Sequence, residues 1–323
     1  AGVTSGNDAR FYEEKVESAQ HLVNKLWNIS RYILTSVEKV EHNIAGTDLK
    51  PQTTADKWIL SRLENLGRDT AKHMERYEFS QAAEKLREFT WSEFADWYLE
   101  VSKAQRVDES TKESTEQILV YVLEHLLAYW HPFMPFVTEA IWKQVEPEKL
   151  LMVHGWPQVP EELSDSDAEQ AFAQMQELVV AVRSIRATYK VDLKKKIEVV
   201  VRTKSSEAQS QVESLQDVIS ALAGIGQLTY TTDKLPSEGV AKAVVGSIEI
   251  AVQLADLVDL EKERTRLEEE IKETEEYLDS LGKKLSNKEF TKKAPAKVVD
   301  TMKEKQQEAQ GRLGALKDQL TAL

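Results

Sequence analysis

Cysteine is absent from all 323 residues. Its absence excludes disulfides and thiolate metal sites and fits a reducing cytoplasm. Glycine (12) and proline (8) are scarce, which leaves few enforced turns and favours long helices. No uncharged apolar run approaches the roughly 18 residues that would suggest a membrane span, so none is expected. The opening stretch Ala1–Asp8 lacks the basic-then-apolar layout of a signal peptide. The six histidines (His21, His42, His73, His125, His131 and His154) are scattered, with no pair at metal-ligand spacing beside a carboxylate. Neither a phosphate loop nor a Gly-x-Ser-x-Gly elbow is present, and Gly224-Ile-Gly226 is too short for a nucleotide fingerprint. Carboxylates such as Glu268 and Glu270 fall on a solvated helical pattern, a poor setting for paired acid–base work. The chain by itself is therefore expected to hold no metal or cofactor and to catalyse nothing.

What is present is charge, unevenly spread. The 42 basic and 55 acidic residues sum to −13, a total that taken alone argues against a nucleic-acid partner. The distribution argues differently. Arg183–Arg202 holds seven basic and two acidic residues, and Lys283–Lys297 six and one, while Asp259–Asp279 holds ten acids and four bases. Local field, more than total charge, guides a polyanion to its docking surface.

Hydrophobic periodicity gives four long helical patterns in the first 145 residues. The first runs from about Asp8 to Val40, with Leu22, Leu26, Ile29, Ile33 and Val37 on one face. The second covers Ala55 to about Arg76, capped by Thr53 or Thr54, and the third about Ser80 to Lys103. The fourth starts near Ser114 and is apolar almost all round through Trp130, until His131-Pro132 and Met134-Pro135 interrupt it. Together they read as an antiparallel bundle. After an acidic loop, Ser166 or Asp167 caps a helix to about Tyr189. The period then changes: Ile197–Thr203 alternates like a strand, a helix of about Glu207–Ala223 follows, then Gln227–Thr231 and two strand-like runs around Gly246.

From residue 259 the pattern is heptad. Leu260, Arg264, Leu267, Ile271, Thr274, Leu278, Leu281 and Leu285 keep 4-3 spacing, as do Val299, Met302, Gln306, Ala309, Leu313, Leu316, Leu320 and Leu323. Ser286–Pro295 breaks the run, so two strands fold into an antiparallel helical hairpin, the first about 40 Å long at 1.5 Å per residue. A dimerisation coiled coil fits the same spacing. The fold class is thus mostly α: an antiparallel helix bundle (1–156), a connecting helix with a small α+β module (157–258) and a coiled-coil hairpin (259–323).

Two clusters suit binding. On the first helix Asn24, Asn28, Arg31 and Thr35 form a polar stripe, with Tyr32 on an adjoining line. Amides and a guanidinium can read base edges and phosphates, and an aromatic ring can stack on an unpaired base. The same residues could instead cap neighbouring helices, with Tyr32 in the core. Lys283, Lys284, Lys288, Lys292, Lys293 and Lys297 crowd the hairpin turn, either as a solvated charge run or as a contact for a polyanion at the tip of a lever. Trp91, Phe94, Trp97 and Tyr98, interleaved with Glu93, Asp96 and Glu100, read as core.

Longer motifs carry a family resemblance. Asn24-Lys-Leu-Trp-Asn28 followed by Ser30-Arg31-Tyr32, Asp56-Lys-Trp-Ile-Leu-Ser-Arg62, Phe94-Ala-Asp-Trp-Tyr98 and His131-Pro-Phe-Met-Pro-Phe-Val-Thr-Glu-Ala-Ile-Trp142 resemble the anticodon-binding domain of valyl-tRNA synthetases. Isoleucyl and leucyl enzymes share some of these words. Leu257-Val-Asp-Leu-Glu-Lys-Glu263 leading into heptads, then Leu285-Ser-Asn-Lys-Glu-Phe290 and Lys293-Ala-Pro295, resemble the valyl enzyme's C-terminal arm. Ile29 and Tyr32 stand where the family often has alanine and phenylalanine. The resemblance implies the C-terminal, tRNA-binding part of a bacterial-type, class I valine–tRNA ligase, cytoplasmic and monomeric. Valine tRNA is the implied partner, with no DNA and no membrane. Anticodon contacts are implied at Asn24, Asn28, Arg31 and Tyr32, and contacts to the tRNA corner at the six lysines. ATP and Mg would serve the parent enzyme, whose His-Ile-Gly-His-like and Lys-Met-Ser-Lys-Ser-like signatures and editing domain have no counterpart here. A coiled-coil protein-interaction scaffold, or the matching region of a related aliphatic-amino-acid synthetase, is the competing expectation.

Overall fold

Helix α1 (Glu13–Ser36) sets its Leu26, Ile29 and Ile33 fully inward, as the apolar stripe requires. The computed structural model describes residues 12–37, 45–192, 194–236, 239–254, 260–286 and 296–322, so the expected extension of this helix to residues 8–11 and 38–40 lies outside the described residues. Helix α2 (Thr54–Glu75) is capped by Thr53, whose hydroxyl accepts from the Asp56 amide at 3.1 Å while Asp56 accepts from the Thr53 amide at 3.1 Å. This reciprocal pair satisfies two of the free amide groups at a helix start. Asp56 is fully buried and also accepts from Tyr98 Oη at 2.7 Å. Burial pushes its carboxyl up from the ordinary value against the pull of those hydrogen bonds.

The third helix departs from expectation. Instead of one regular helix over 80–103, α3 (Phe79–Glu88) and α4 (Leu99–Gln105) flank a wider π-helical stretch, Phe89–Tyr98. A π stretch shifts the register of the side chains that follow it. Phe89, Phe94 and Tyr98 all turn inward, their rings stacked in series at 6.4 and 6.1 Å between centroids. The aromatic group is core, as expected.

Helix α5 (Glu109–Trp130) begins five residues before the expected Ser114, because Asp108 accepts from the Ser110 amide at 2.9 Å and caps it. From Ser114 to Trp130 it is buried almost all round. It stops where the two prolines demand, and α6 (Pro135–Val145) restarts with Pro135 at its first position, where the missing N–H costs nothing. Helix α7 (Ser166–Thr188) is capped by neither Ser166 nor Asp167: Asp165 accepts from the Ala168 amide at 2.9 Å.

The described residues divide into two compact units, 1–176 and 177–323, the boundary falling inside α7. In the second unit a four-stranded sheet has the order β2-β1-β4-β3, from β1 (Ile197–Arg202), β2 (Ile225–Thr231), β3 (Val240–Val245) and β4 (Ile248–Gln253). β1 and β2 are parallel, which obliges a crossover. That crossover is two helices, α8 (Ser206–Ser214) and α9 (Gln216–Ala223), in place of the single one expected; Leu215 leaves helical geometry (φ −112°) and buries its side chain between them. β3 and β4 form a hairpin turned at Gly246, whose φ of 56° suits glycine.

Helices α10 (Leu260–Ser286) and α11 (Ala296–Ala322) pair as the heptads require. Leu267, Thr274, Leu281, Ala309 and Leu316 are buried in the seam. Arg264, counted among the heptad positions, is instead exposed, as a guanidinium with no buried partner must be. Arg312–Glu270 (3.5 Å) and Lys317–Glu275 (2.8 Å) bridge the two helices. The architecture is mostly helical, with a bundle, a small sheet and a C-terminal helical hairpin.

Candidate nucleic-acid interface

The sequence words that looked most distinctive turn out to build the scaffold behind a surface. Trp58 stacks on Phe172 at 3.7 Å, and Trp97 meets the same ring edge-on at 6.4 Å. Arg62 forks onto Glu93 (2.7 and 2.9 Å) and reaches Glu169 at 3.3 Å. Glu169 also accepts from Ser61 (2.5 Å) and Asn65 (2.9 Å), so α2 and the start of α7 share one polar network. These acids hold the guanidinium pKa well above its ordinary value. Trp142 is buried on α6, and His131 Nδ1 shares a 2.9 Å hydrogen bond with Thr138 Oγ1.

The same packing disposes of an electrostatic objection. Glu93, Asp96 and Glu100 stood in sequence as acids that would repel phosphate. In the structure each has a basic partner: Arg62 for Glu93, Lys25 for Asp96 at 3.1 Å, Lys103 for Glu100 at 2.6 Å. Lys25 Nζ additionally lies 4.9 Å from the Trp91 ring centroid. The acids near α1 are thereby locally balanced.

On α1, Asn24, Asn28, Arg31 and Thr35 are all exposed on one line. Among the described residues Arg31 has no ion-pair partner. Thr35 turns back, its hydroxyl donating to the Arg31 carbonyl at 2.8 Å. Asn24, Asn28 and Arg31 are therefore side by side with donors facing water. Tyr32 is not among them in the same sense. It is half-buried, its hydroxyl accepts from Arg106 Nη1 at 3.5 Å, and Lys103 Nζ lies 5.9 Å from its ring centroid. Arg106 is itself held by Glu116 at 3.1 Å and by the Ser36 carbonyl. Tyr32 thus borders the polar line as part of the joint between α1, α4 and α5.

One residue on this face was missed from sequence. Trp27 is 46% exposed, and it is the one tryptophan of seven in the exposed class. Its position, three after Asn24 and four before Arg31, places it beside the polar line and off the Leu26–Ile29–Ile33 face; that spacing was the available signal.

Of the six lysines assigned to the hairpin turn, Lys283 and Lys284 are exposed near the end of α10, and Lys283 pairs with Asp279 at 2.5 Å. Lys288, Lys292 and Lys293, and the side chain of Lys297, lie outside the described residues. In the sheet unit, buried Arg186 donates to the carbonyls of Asp192 (2.7 Å), Lys195 (2.9 Å) and Gly224 (3.3 Å), pinning the basic loop around Lys194–Lys196 to the end of α9. Among the described residues there is no group of three or more His, Asp or Glu arranged to hold a metal, and no helix long and apolar enough to cross a membrane.

Comparison with known families bears on these surfaces directly. Residues 56–201 match the anticodon-binding domain of tRNA ligases, and residues 259–323 match the valyl-tRNA synthetase tRNA-binding arm. The chain belongs to the valyl-tRNA synthetase family. Valine–tRNA ligase of Bacillus cereus is 35% identical over 326 residues, those of Staphylococcus carnosus 34% and Bacillus subtilis 33% over the same length. Each alignment takes in all of this chain, α1 included, and 37% of the relative. The chain thus spans little more than a third of the length of these synthetases. An anticodon-binding bundle and a tRNA-binding arm are the parts that this synthetase-family chain contains.

Proposed function

We propose that this chain is the tRNA-gripping portion of a valine–tRNA ligase, specific for valine tRNA, acting as a cytoplasmic monomer and making no bonds itself. The observation that carries the reading is the joint presence of an anticodon-binding bundle and a valyl-type arm in one chain, together with the exposed donor line on α1. Asn24, Asn28 and Arg31, bordered by Tyr32, would meet the splayed bases and phosphates of the anticodon loop. The arm, residues 259–323, would reach the outer corner of the tRNA and contact its backbone through Lys283, Lys284, Lys288, Lys292, Lys293 and Lys297. Residues 1–156, 157–258 and 259–323 would act as bundle, connector and lever.

Two separated contacts fix the orientation of an L-shaped RNA, so the acceptor end arrives at a distant active site already positioned. In the parent ligase ATP and Mg would serve that active site; this chain would need no cofactor. The test is direct. Arg31→Ala and Asn28→Ala should each weaken binding of valine tRNA several-fold with unchanged helical content in circular dichroism. If neither changes the affinity, the α1 face is not the anticodon contact.

A further inference from the structure

We infer that Trp27 is a nucleobase-stacking platform on the α1 face, serving an unpaired base of the anticodon loop in the role that sequence reasoning gave to Tyr32. The inference rests on the proposed anticodon reading and goes beyond it by naming the ring and the kind of contact.

Three observations converge. First, Trp27 is 46% exposed, whereas Trp58, Trp130 and Trp142 are at most 4% exposed. Burying an indole is strongly favourable in water, so a surface-lying one beside a well-packed core has a use outside that core. Second, its ring takes part in none of the aromatic or cation contacts that occupy its neighbours: Lys25 sits over Trp91 and Lys103 over Tyr32. Tyr32 is further engaged by Arg106 and only partly accessible. Third, the company is right for RNA. At about 100° per residue, Trp27, Arg31, Asn24 and Asn28 fall within one sector of roughly 100° on the helix. A flat apolar ring, a free guanidinium and two carboxamides are the groups that recognise a splayed base: the ring takes its face, the amides its edge, the guanidinium its phosphate. A docking site for an apolar protein surface would instead surround Trp27 with aliphatic side chains, and its neighbours on this line are polar.

The chemistry predicts a signature that separates stacking from generic packing. With the full chain and an RNA stem-loop bearing a valine anticodon, Trp27→Ala should weaken binding on the order of tenfold, the scale of one base–aromatic stack. Trp27→Phe should retain most of the affinity, and Trp27→Leu, apolar but without a π face, should not. The same stem-loop with abasic nucleotides at the anticodon should bind wild type and Trp27→Ala equally. Loss of affinity with Leu and Ala, rescue by Phe and no effect on the abasic loop would establish the stack. Unchanged affinity of Trp27→Ala, while Arg31→Ala still weakens binding, would overturn the stacking role and leave the anticodon reading standing. Equal losses on intact and abasic loops would overturn it too, since Trp27 would then act on something other than a base. If wild type ignores the stem-loop altogether, both the inference and the reading beneath it fail.

Discussion

His125 is 7% exposed on the most buried helix of the bundle, its Nδ1–H donating to the Tyr121 carbonyl at 2.8 Å and its ring 4.1 Å from that of Tyr121. Burial there lowers its pKa to about 4. An imidazole whose folded pKa lies below its unfolded value of about 6.5 favours folding above that value and loses the contribution as pH falls toward the folded pKa. Between pH 7 and 5 the loss amounts to about 2 kcal/mol. Denaturant titrations of wild type and His125→Gln at both pH values isolate it. The wild type should lose about 2 kcal/mol more than the variant, and parallel losses would mean that His125 titrates normally. Arg31 and Trp27 illustrate the opposite logic at the same scale. Both expose chemistry that a bundle has no internal need for, whereas Asp56, Trp58 and Arg62, equally prominent in the sequence, are consumed by the core.

At the scale of elements, the long periodic segments were legible: α1, α2, α5, the proline break before α6 and the heptad pair α10 and α11 all follow from apolar spacing. The misreadings have local causes. The π-helical stretch Phe89–Tyr98 forms because three aromatic rings share one interior, and no propensity announces that. The break at Leu215 answers to burial, since nothing in Val212–Asp217 is a helix breaker. The cap at Asp165 lost out in sequence to Ser166 and Asp167, two equally good neighbours. On the candidate site, the polar stripe was readable by spacing, while the division of labour between Trp27 and Tyr32 depends on what α4 brings to Tyr32 across the bundle, which one helix's sequence does not contain. The arm makes its own prediction. If its turn contacts phosphates, replacing Lys288, Lys292 and Lys293 together with alanine should reduce the log–log salt slope of tRNA binding by up to about 2–3, at roughly 0.7–0.9 per lost phosphate contact. An unchanged slope would remove the turn from the interface.

For the molecule as a whole, the division into units at 176/177 has a consequence for truncation. The bundle's core, from Leu26 through Trp58, Phe94, Tyr129 and Phe172, is complete without the hairpin, which forms its own seam. Deleting residues 259–323 should therefore leave a cooperatively unfolding, helical protein that binds the anticodon stem-loop as before but intact tRNA more weakly. Aggregation, or loss of stem-loop binding, would count against independent bundle and arm. An acidic chain, −13 overall, that grips a polyanion must do so through small balanced surfaces, and the pairing of Glu93, Asp96 and Glu100 with Arg62, Lys25 and Lys103 shows how one such surface is kept free of net repulsion. The measurement that bears most directly on this account is equilibrium binding of the intact chain to valine tRNA and to a panel of other tRNAs at low and at moderate salt. The account predicts preferential binding of valine tRNA, with an affinity that falls as salt rises. A natively folded chain that binds no tRNA at low salt, or binds all of them alike, would contradict it.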